Sequence, residues 1–585
     1  MNQFSYVRKY YPHSIFAATM ILCVLIGSIP ALQVIVEQDL FDAAILGISG
    51  GGLQAFVMSI GIFIILMLIK SLFTAILLFE SDRHTIIVGK QLDATRLEKV
   101  GHVSFPITET QAFHELYGRA EKIADLDSTF YVALQTVAKC AVQITTSFIV
   151  LFTIDKRTAS IIFVLLLIGI GINQNAGRNT NNFWDEYIEN MRHANYLSSL
   201  LLHREYAAER KIFHYNQEIE SRYQKDAADA MKKNSGLGKK RLLSECATTV
   251  FAAIYSVTAI LLLILPLTNG TISLGSFMAA FTAIVSLRNV GNQLYGAVFD
   301  ASSSFAQMSA FFSFLQLDED VNHSTEKQII LSKGIEFQNV SFQYPGTSTP
   351  VLEHISFTWQ TGMHYALVGE NGCGKTTLVK LLLGLYKPTE GCIFVGGKDI
   401  SEMSGEERRQ LFTAVFQDFY RYPLSVRENV SLSSSQLQES EKINAVLHSL
   451  HFDAPCVSEE KDLDINLNLL KQESVDLSGG EWQKLTVTRS ILSAAPIVVL
   501  DEPNAALDPM SEMAFYRVYE EALGSKTTLF ISHRLGTVKT ADCIMVLRNK
   551  RLIAMDSHNA LMRSCEYYRE LFETQRGMYY ETSTQ

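Results

Sequence analysis

Residues 366–377 read ALVGENGCGKTT, an apolar strand running into Gly369, Glu370, Asn371, Gly372, Cys373, Gly374, Lys375, Thr376 and Thr377. Glycines at these intervals let backbone N–H groups wrap a phosphate chain. The lysine reaches the β and γ groups, and the hydroxyl of Thr376 ligates Mg²⁺. The expected occupants are therefore ATP and Mg²⁺. A second stretch, IVVLDEP at 497–503, supplies what a phosphate cradle lacks. Its apolar residues make a buried strand that delivers Asp501 to the metal, with Glu502 next in line to polarise an attacking water. A third stretch, LSGGE at 477–481, puts Ser478, Gly479, Gly480 and Glu481 ahead of a helical run. Glycine amides and a helix N-terminus again make an anion site. The chain thus has two phosphate-type loops about a hundred residues apart.

These residues need a scaffold. From GIEFQNVSFQY at 334–344 onward, short apolar strands alternate with helical patterns, which predicts a cytosolic α/β P-loop ATPase domain. The first half reads differently. Uncharged runs cover Ser14–Val36, Ala43–Ile69 (continuing after Lys70 to Phe79), Ser128–Ile154 with Lys139 inside, Thr158–Asn173, Cys246–Thr268 and Leu274–Leu287. The longer runs are each enough to span a bilayer, the fourth is short, and the six together are read as an α-helical membrane domain with six transmembrane helices. The first run ends in QVIVEQ, without the small-residue cleavage site of a signal peptide. Boundaries are expected at 1–316 for the membrane domain, 317–333 for a linker, 334–575 for the ATPase domain and 576–585 for a tail.

Composition narrows the class. Of 585 residues, 48% are hydrophobic, and the net charge of −10 excludes a generally basic nucleic-acid binder. The eight cysteines form no CxxC pair, so no zinc cage or disulfide framework is expected. Residues 80–127 carry six Lys/Arg and 174–245 carry twelve, whereas 37–42 and 268–273 carry none; Asp155-Lys156-Arg157, between the third and fourth runs, is the one exception. The positive-inside bias then puts both long loops and both termini in the cytoplasm. Those loops keep helical patterning, so helices extending below the membrane are expected.

Together these motifs resemble the ATP-binding cassette (ABC) transporters. The layout, a membrane domain followed by one cassette, is that of a half-size exporter. The resemblance implies further roles. Tyr344 in VSFQYPG looks like the aromatic that stacks on adenine, and Gln417 in AVFQDF like the Q-loop glutamine that senses Mg²⁺. Asp508 in AALD looks like the D-loop aspartate, and His533 in ISHR like the switch histidine. Glu502, His533 and Gln417 are then the catalytic set, with Thr376, Gln417 and Asp501 around the metal. The family also explains the second loop. Two cassettes meet head to tail, and LSGGE caps the γ-phosphate held by the opposite P-loop. A chain with one cassette should accordingly work as a dimer with a second half-transporter chain, a homodimer by default or a heterodimer.

Two departures stand out. The signature's fifth residue is Glu481 where the family usually has Gln, adding negative charge near the site. The aromatic stretch FQDFYRYPLSVREN, with LSGGEWQK, is similar to exporters of bacteriocins, lanthipeptides and related peptides. That subfamily implies an exported peptide and a bacterial cytoplasmic membrane. About a dozen residues precede the first span, so no fused leader-cleaving protease domain is expected. A lipid or multidrug exporter is the alternative, and a non-transporting membrane-anchored ATPase a lesser one. FPITET (105–110) and REYAAERKIF (204–213) are the candidate segments that meet the cassette. Arg288, Asn292, Tyr295 and Phe299 fall on one helical face, widened by Asn289 and Gln293. That face either lines a substrate cavity or pairs with neighbouring helices. Lys70 and Lys139 are intramembrane charges that line a cavity or snorkel. Cys373, beside Lys375 and a helix N-terminus, is expected to favour thiolate.

Overall fold

The structure, a computed structural model, describes residues 3–48, 53–202, 206–320, 331–433, 439–452, 463–467, 475–503, 521, 524, 526–532 and 538–581. The side chains of 3–5, 47–48, 173–182, 184–185, 188–189, 237, 332 and 575–581 fall outside that description. The chain divides into two compact units, Met1–Gly101 with His114–Gln316, and His102–Phe113 with Leu317–Gln585.

The first unit is helical. In chain order its helices are α1 (Gln3–Tyr10), α2 (His13–Ile48) and α3 (Leu53–His102), then α5 (Gln111–Ala120), α6 (Ile123–Ile154) and α7 (Lys156–Leu202). They are followed by α8 (Ala207–Phe213), α9 (Asn216–Thr268), α10 (Leu274–Gln307) and α11 (Ser309–Leu315). Helix α4 (Phe105–Thr108) belongs to the second unit. Among the described residues, five helical stretches are long and apolar enough to cross a membrane, beginning at His13, Leu53, Gln111, Gly238 and Leu274. The short run expected as the fourth span lies within α7. At 1.5 Å per residue, the 50-residue α3 and 53-residue α9 far exceed a hydrocarbon core of about 30 Å. The charged loop sequences are thus continuations of these helices, as their patterning implies.

Helix α10 is central because its inward face is small. Ser276, Ala279, Ala280, Ala283 and Gly291 are buried along it, letting the backbones of α2, α6, α7 and α9 approach closely. At its start, Asp42 accepts from Gly275 N (3.0 Å) and Ser273 Oγ (2.8 Å). Helix α1 is tied down by a buried carboxylate, Asp127 of α6, which accepts from Tyr6 (2.7 Å) and Tyr11 (3.0 Å).

The second unit is α/β. Its elements are α4, β1 (Ile335–Phe342), β2 (Leu352–Trp359), β3 (His364–Gly369), α12 (Lys375–Leu382), β4 (Glu390–Val395), β5 (Lys398–Asp399) and α13 (Gly405–Leu411). Then come β6 (Phe412–Val415), α14 (Val426–Ser431), α15 (Ser440–Ser449), α16 (Gly479–Ile491), β7 (Ile497–Asp501), β8 (Thr527–Ile531), β9 (Cys543–Arg548) and β10 (Arg551–Asp556). Helices α17 (His558–Ser564) and α18 (Glu566–Glu581) close the chain. An antiparallel sheet has strand order β2-β1-β4-β5, and a six-stranded sheet has order β10-β9-β3-β8-β7-β6. Within the latter, β9, β3, β8, β7 and β6 run parallel. All five residues of β7 are buried, as expected of a parallel strand covered on both faces. Phe337, Phe357, Trp359 and Tyr365 fill the core beneath the sheets, with Trp359 and Tyr365 stacked at 4.7 Å. Rings of this size bury about 150–250 Å² each and dominate core energetics.

Residues on either side of α4 join this unit by backbone pairing. Ser104 N donates to Asp318 O (3.1 Å), and Asp320 N to His102 O (2.8 Å).

Candidate nucleotide site

The site is built at the carboxyl ends of β3 and β7, where doubly wound sheets place ligands. Strand β8 separates the two, and its Ile531 is in register with both Leu367 and Asp501. The chain leaves β3 at Gly369 and enters α12 at Lys375. Gly374 must be glycine: its φ is +107°, and a Cβ there would sit 2.7 Å from Leu352 Cδ2. Gly372 is also left-handed, at φ +79°. The intervening Glu370, Asn371 and Gly372 are exposed, so the loop presents its backbone outward.

Lys375 is buried, and its ammonium is held by the carbonyls of Gly369 (2.9 Å) and Glu370 (3.0 Å). Those bonds fix the charge at the mouth of its own loop. Thr376 Oγ1 donates to Asp501 Oδ2 at 3.2 Å. Asp501 is only 2% exposed. Burial pushes its carboxyl up; the Thr376 hydroxyl and Lys375 pull it down, and the Glu502 and Asp418 charges raise it. A buried carboxylate with acidic neighbours and a hydroxyl at bonding distance is the donor set a hard divalent cation takes, together with phosphate oxygens.

Glu502 has φ +49°. A left-handed non-glycine residue of this kind costs about 1–3 kcal/mol and clusters at functional sites. Its amide donates to Ile531 O (3.1 Å), holding the bend against β8. The dipeptide Asp-Glu gives no sequence warning of this strain.

Tyr344 packs edge-on against Phe342 (5.0 Å) and Tyr386 (5.3 Å), and its hydroxyl lies 3.0 Å from Thr377 Oγ1. The aromatic is thereby tied to the first turn of α12. Gln417 is exposed after β6 and lines a cavity of about 880 Å³ with Thr376, Asp418, Asp501, Phe105 and Glu109.

Glu109 is one residue past α4. It forms an ion pair with Lys380 (2.7 Å) and accepts from the Tyr386 hydroxyl. Phe105 sits edge-on to Tyr386 at 5.7 Å. The first candidate contact segment therefore meets the helix that carries Lys375. Lys380 was not legible as a partner, although its position four residues after Thr376 puts it on the same helical face. In the second candidate segment, Arg204 and Glu205 lie outside the described residues. The remainder contains the short helix α8, which exposes Ile212 and Phe213.

Ser478 caps α16. Its hydroxyl accepts from Glu481 N (3.3 Å), and its own N–H donates to Glu481 Oε2 (2.6 Å). This reciprocal pair is a capping box. The unusual Glu481 thus folds back on the helix start. Ser478 and Gly479 are exposed while Trp482, Leu485 and Val487 anchor the helix in the core. The structure brings Tyr344, Lys375, Thr376, Thr377, Gln417 and Asp501 into one region. The partners of Ser478 and Glu481 lie within their own capping box. Asp508 and His533 lie outside the described residues.

One expectation is corrected, and one pair of alternatives is decided for Arg288. Burial pushes the Cys373 thiol up, and Lys375 only partly offsets this, so Cys373 is not poised as thiolate. Arg288 serves interhelical bonding: its guanidinium donates to Ala252 O (3.3 Å) and Ser256 Oγ (3.2 Å) of α9. The open space lies on the adjoining face, with Asn289 and Gln293. Sequence reasoning also missed Tyr567 of α18. Its ring carries the Arg548 guanidinium at 4.2 Å. Burial and the nearby Glu370 charge push its hydroxyl up to about 12.

Residues 352–505 match the ABC transporter family model. That segment belongs to the family, and the chain as a whole, a helical membrane domain followed by one cassette, has the fold of a half-size ABC exporter. Its relatives include the subtilin transport ATP-binding protein SpaT of Bacillus subtilis, 25% identical over 86% of this chain and 82% of that one. The nisin transport ATP-binding protein NisT of Lactococcus lactis is 33% identical over 56% of this chain and 54% of that one. The ATP-dependent lipid A-core flippase of Haemophilus ducreyi is 31% identical over 52% and 51% respectively. These last two matches span about half the length of each relative. The solved structure of a bacterial Atm1-family ABC exporter with ATP bound superposes with a TM-score of 0.80 at 21% identity, covering 96% of this chain and 98% of that one.

Proposed function

We propose that this exporter moves a peptide outward across a bacterial cytoplasmic membrane, powered by MgATP, as a homodimer with two shared nucleotide sites. The similarity to the subtilin transport protein over most of both chains carries the peptide reading. The flippase relatives, matched over about half their length, keep an amphipathic lipid as the second reading. The layout we propose is residues 1–316 as a membrane domain of six spans with both termini cytoplasmic, 317–333 as linker, 334–575 as cassette and 576–585 as tail.

Bound MgATP would supply the phosphoryl bond whose cleavage drives the cycle. The chain's own residues do the rest. Amides of Gly369 to Gly374 and the ammonium of Lys375 hold phosphate oxygens. Thr376, Asp501 and Gln417 hold the metal; the Thr376–Asp501 contact at 3.2 Å supports this. Glu502 takes the proton of the attacking water, and His533 steadies the leaving charge. Tyr344 stacks on the base from the wall it forms with Phe342. Ser478, Gly479, Gly480, Glu481 and Asp508 serve the nucleotide of the partner chain; the start of α16, with Ser478 and Gly479 exposed, supports that role, because a helix N-terminus at the surface is an anion site. Glu109, paired with Lys380, transmits nucleotide-dependent movement of α12 to the segment after α3.

The test is ATP hydrolysis by the purified chain in proteoliposomes, screened with candidate peptides and lipids. Stimulation and vectorial uptake of a peptide into inside-out vesicles is expected. Stimulation by lipids alone would replace the peptide reading.

A further inference from the structure

A cavity of about 540 Å³ opens among α2, α3, α6 and α10. Lys70 of α3 and Lys139 and Gln143 of α6 reach it, as do Ser286, Asn289 and Gln293 of α10. Two ammonium groups from different helices therefore converge on one opening. Both sit inside otherwise uncharged runs, Lys139 near the middle of 128–154. Cations at such depth are costly and face a cavity or a partner. Among the described residues, neither ammonium has an ion pair, and no carboxylate lines the cavity. Glu37 of α2 does not line it but lies beside the lining residue Thr282, with its Oε2 buried and without a hydrogen-bond partner among the described residues. Arg288 is occupied by its bonds to α9 and donates as well to the Oδ1 of its neighbour Asn289 (3.3 Å), whose amide N–H groups remain for a ligand. The two lysines are thus positive charges with an open volume in front of them.

The remaining lining selects the ligand. Gln143, Asn289 and Gln293 each carry a donor and an acceptor. Such amides match the N–H and C=O of a peptide backbone, whereas an acyl chain satisfies neither. Gln143 keeps its orientation by donating to Ser286 Oγ at 3.1 Å.

We propose that this cavity is an anion-selective subsite for peptide cargo. Lys70 and Lys139 receive a carboxylate of the peptide, and the amide side chains pair with its backbone. The proposal rests on the peptide-export reading and adds the charge of the cargo to it.

The test uses the full chain reconstituted in phosphatidylcholine vesicles. Two synthetic amphipathic peptides are compared, one bearing glutamates and one with glutamine at the same positions. In the parent, the glutamate peptide should stimulate ATP hydrolysis at a concentration about tenfold lower, the scale of a desolvated charge pair. In Lys70→Gln/Lys139→Gln that difference should vanish. Lys70→Arg/Lys139→Arg should restore it. Equal stimulation by both peptides in the parent would leave peptide export standing and overturn the subsite. A preference that survives in the Gln double variant would also overturn it. Phosphatidylglycerol vesicles form the lipid arm. Lysine-dependent stimulation by that lipid, with no response to either peptide, would overturn the subsite and the peptide reading together. The parent comparison needs no variant, so a poorly folding double variant leaves the test intact.

Discussion

The two halves of the chain carry their functional residues in opposite ways. In the cassette, chemistry is concentrated: Gly369 to Thr377 and Asp501–Glu502 are short runs in which neighbouring residues act on one group. In the membrane unit, chemistry is dispersed: Lys70, Lys139, Asn289 and Gln293 come from three helices and meet only in the folded structure. Phosphate recognition by backbone amides demands a fixed local conformation, so it is written as a local motif. Cavity recognition demands only that side chains from separate helices face one space. A local motif should break all at once, and a dispersed lining should degrade by increments.

The largest break is expected at the concentrated site. Glu502→Gln should lower turnover by about 10²–10⁴-fold while leaving ATP bound, and Lys375→Ala should lose phosphate contact as well. Nucleotide binding and phosphate release, measured separately, distinguish these. Near-parental turnover in Glu502→Gln would remove that residue from proton transfer.

Next comes the contact between the segment after α4 and α12, both in the second unit. Glu109→Gln keeps the shape but discards the charge that faces Lys380. Basal hydrolysis should change little, and stimulation by cargo should fall about two- to fivefold, in line with the modest worth of a part-exposed ion pair. Equal stimulation in both proteins would make the 2.7 Å contact incidental.

The pH response sharpens the assignment of Asp501. Its carboxyl is raised, so a proton competes for it at a higher pH than for an ordinary aspartate. The Mg²⁺ concentration needed for ATP binding should rise as pH falls through the carboxylate range. Asp501→Asn should flatten that dependence. A Mg²⁺ requirement independent of pH in the parent would put the cation elsewhere.

The smallest effect concerns Cys373. With its thiol raised by burial, maleimide should inactivate slowly at neutral pH and faster as pH rises, and MgATP should protect. Rapid inactivation at neutral pH would contradict the buried thiol.

What could be read beforehand follows the same division. The P-loop, the apolar strand before Asp501 and the helical runs were legible, because each is a local pattern of residue type. The continuation of α3 and α9 through charged sequence was legible from helical periodicity. Arg288 was not: periodicity puts it on one face with Asn292, but whether that face meets α9 or open space depends on how helices rotate against each other. Lys380 and Glu109 were not legible as a pair, because they lie far apart in sequence and only the placement of α4 joins them. The left-handed Glu502 escaped because a strained turn between β7 and Pro503 leaves no mark in residue type.

The central claim is that each signature loop completes the partner's nucleotide site. It is tested most directly with two engineered dimers that carry the same pair of substitutions. In one, Ser478→Arg is on one chain and Lys375→Ala on the other; in the second, both are on the same chain. Vanadate-dependent trapping of nucleotide is then measured. With shared sites, the first dimer keeps one intact pairing of P-loop and signature and traps nucleotide, while the second has a lesion in each site and traps none. The opposite pattern, trapping only when both substitutions share a chain, would contradict the account.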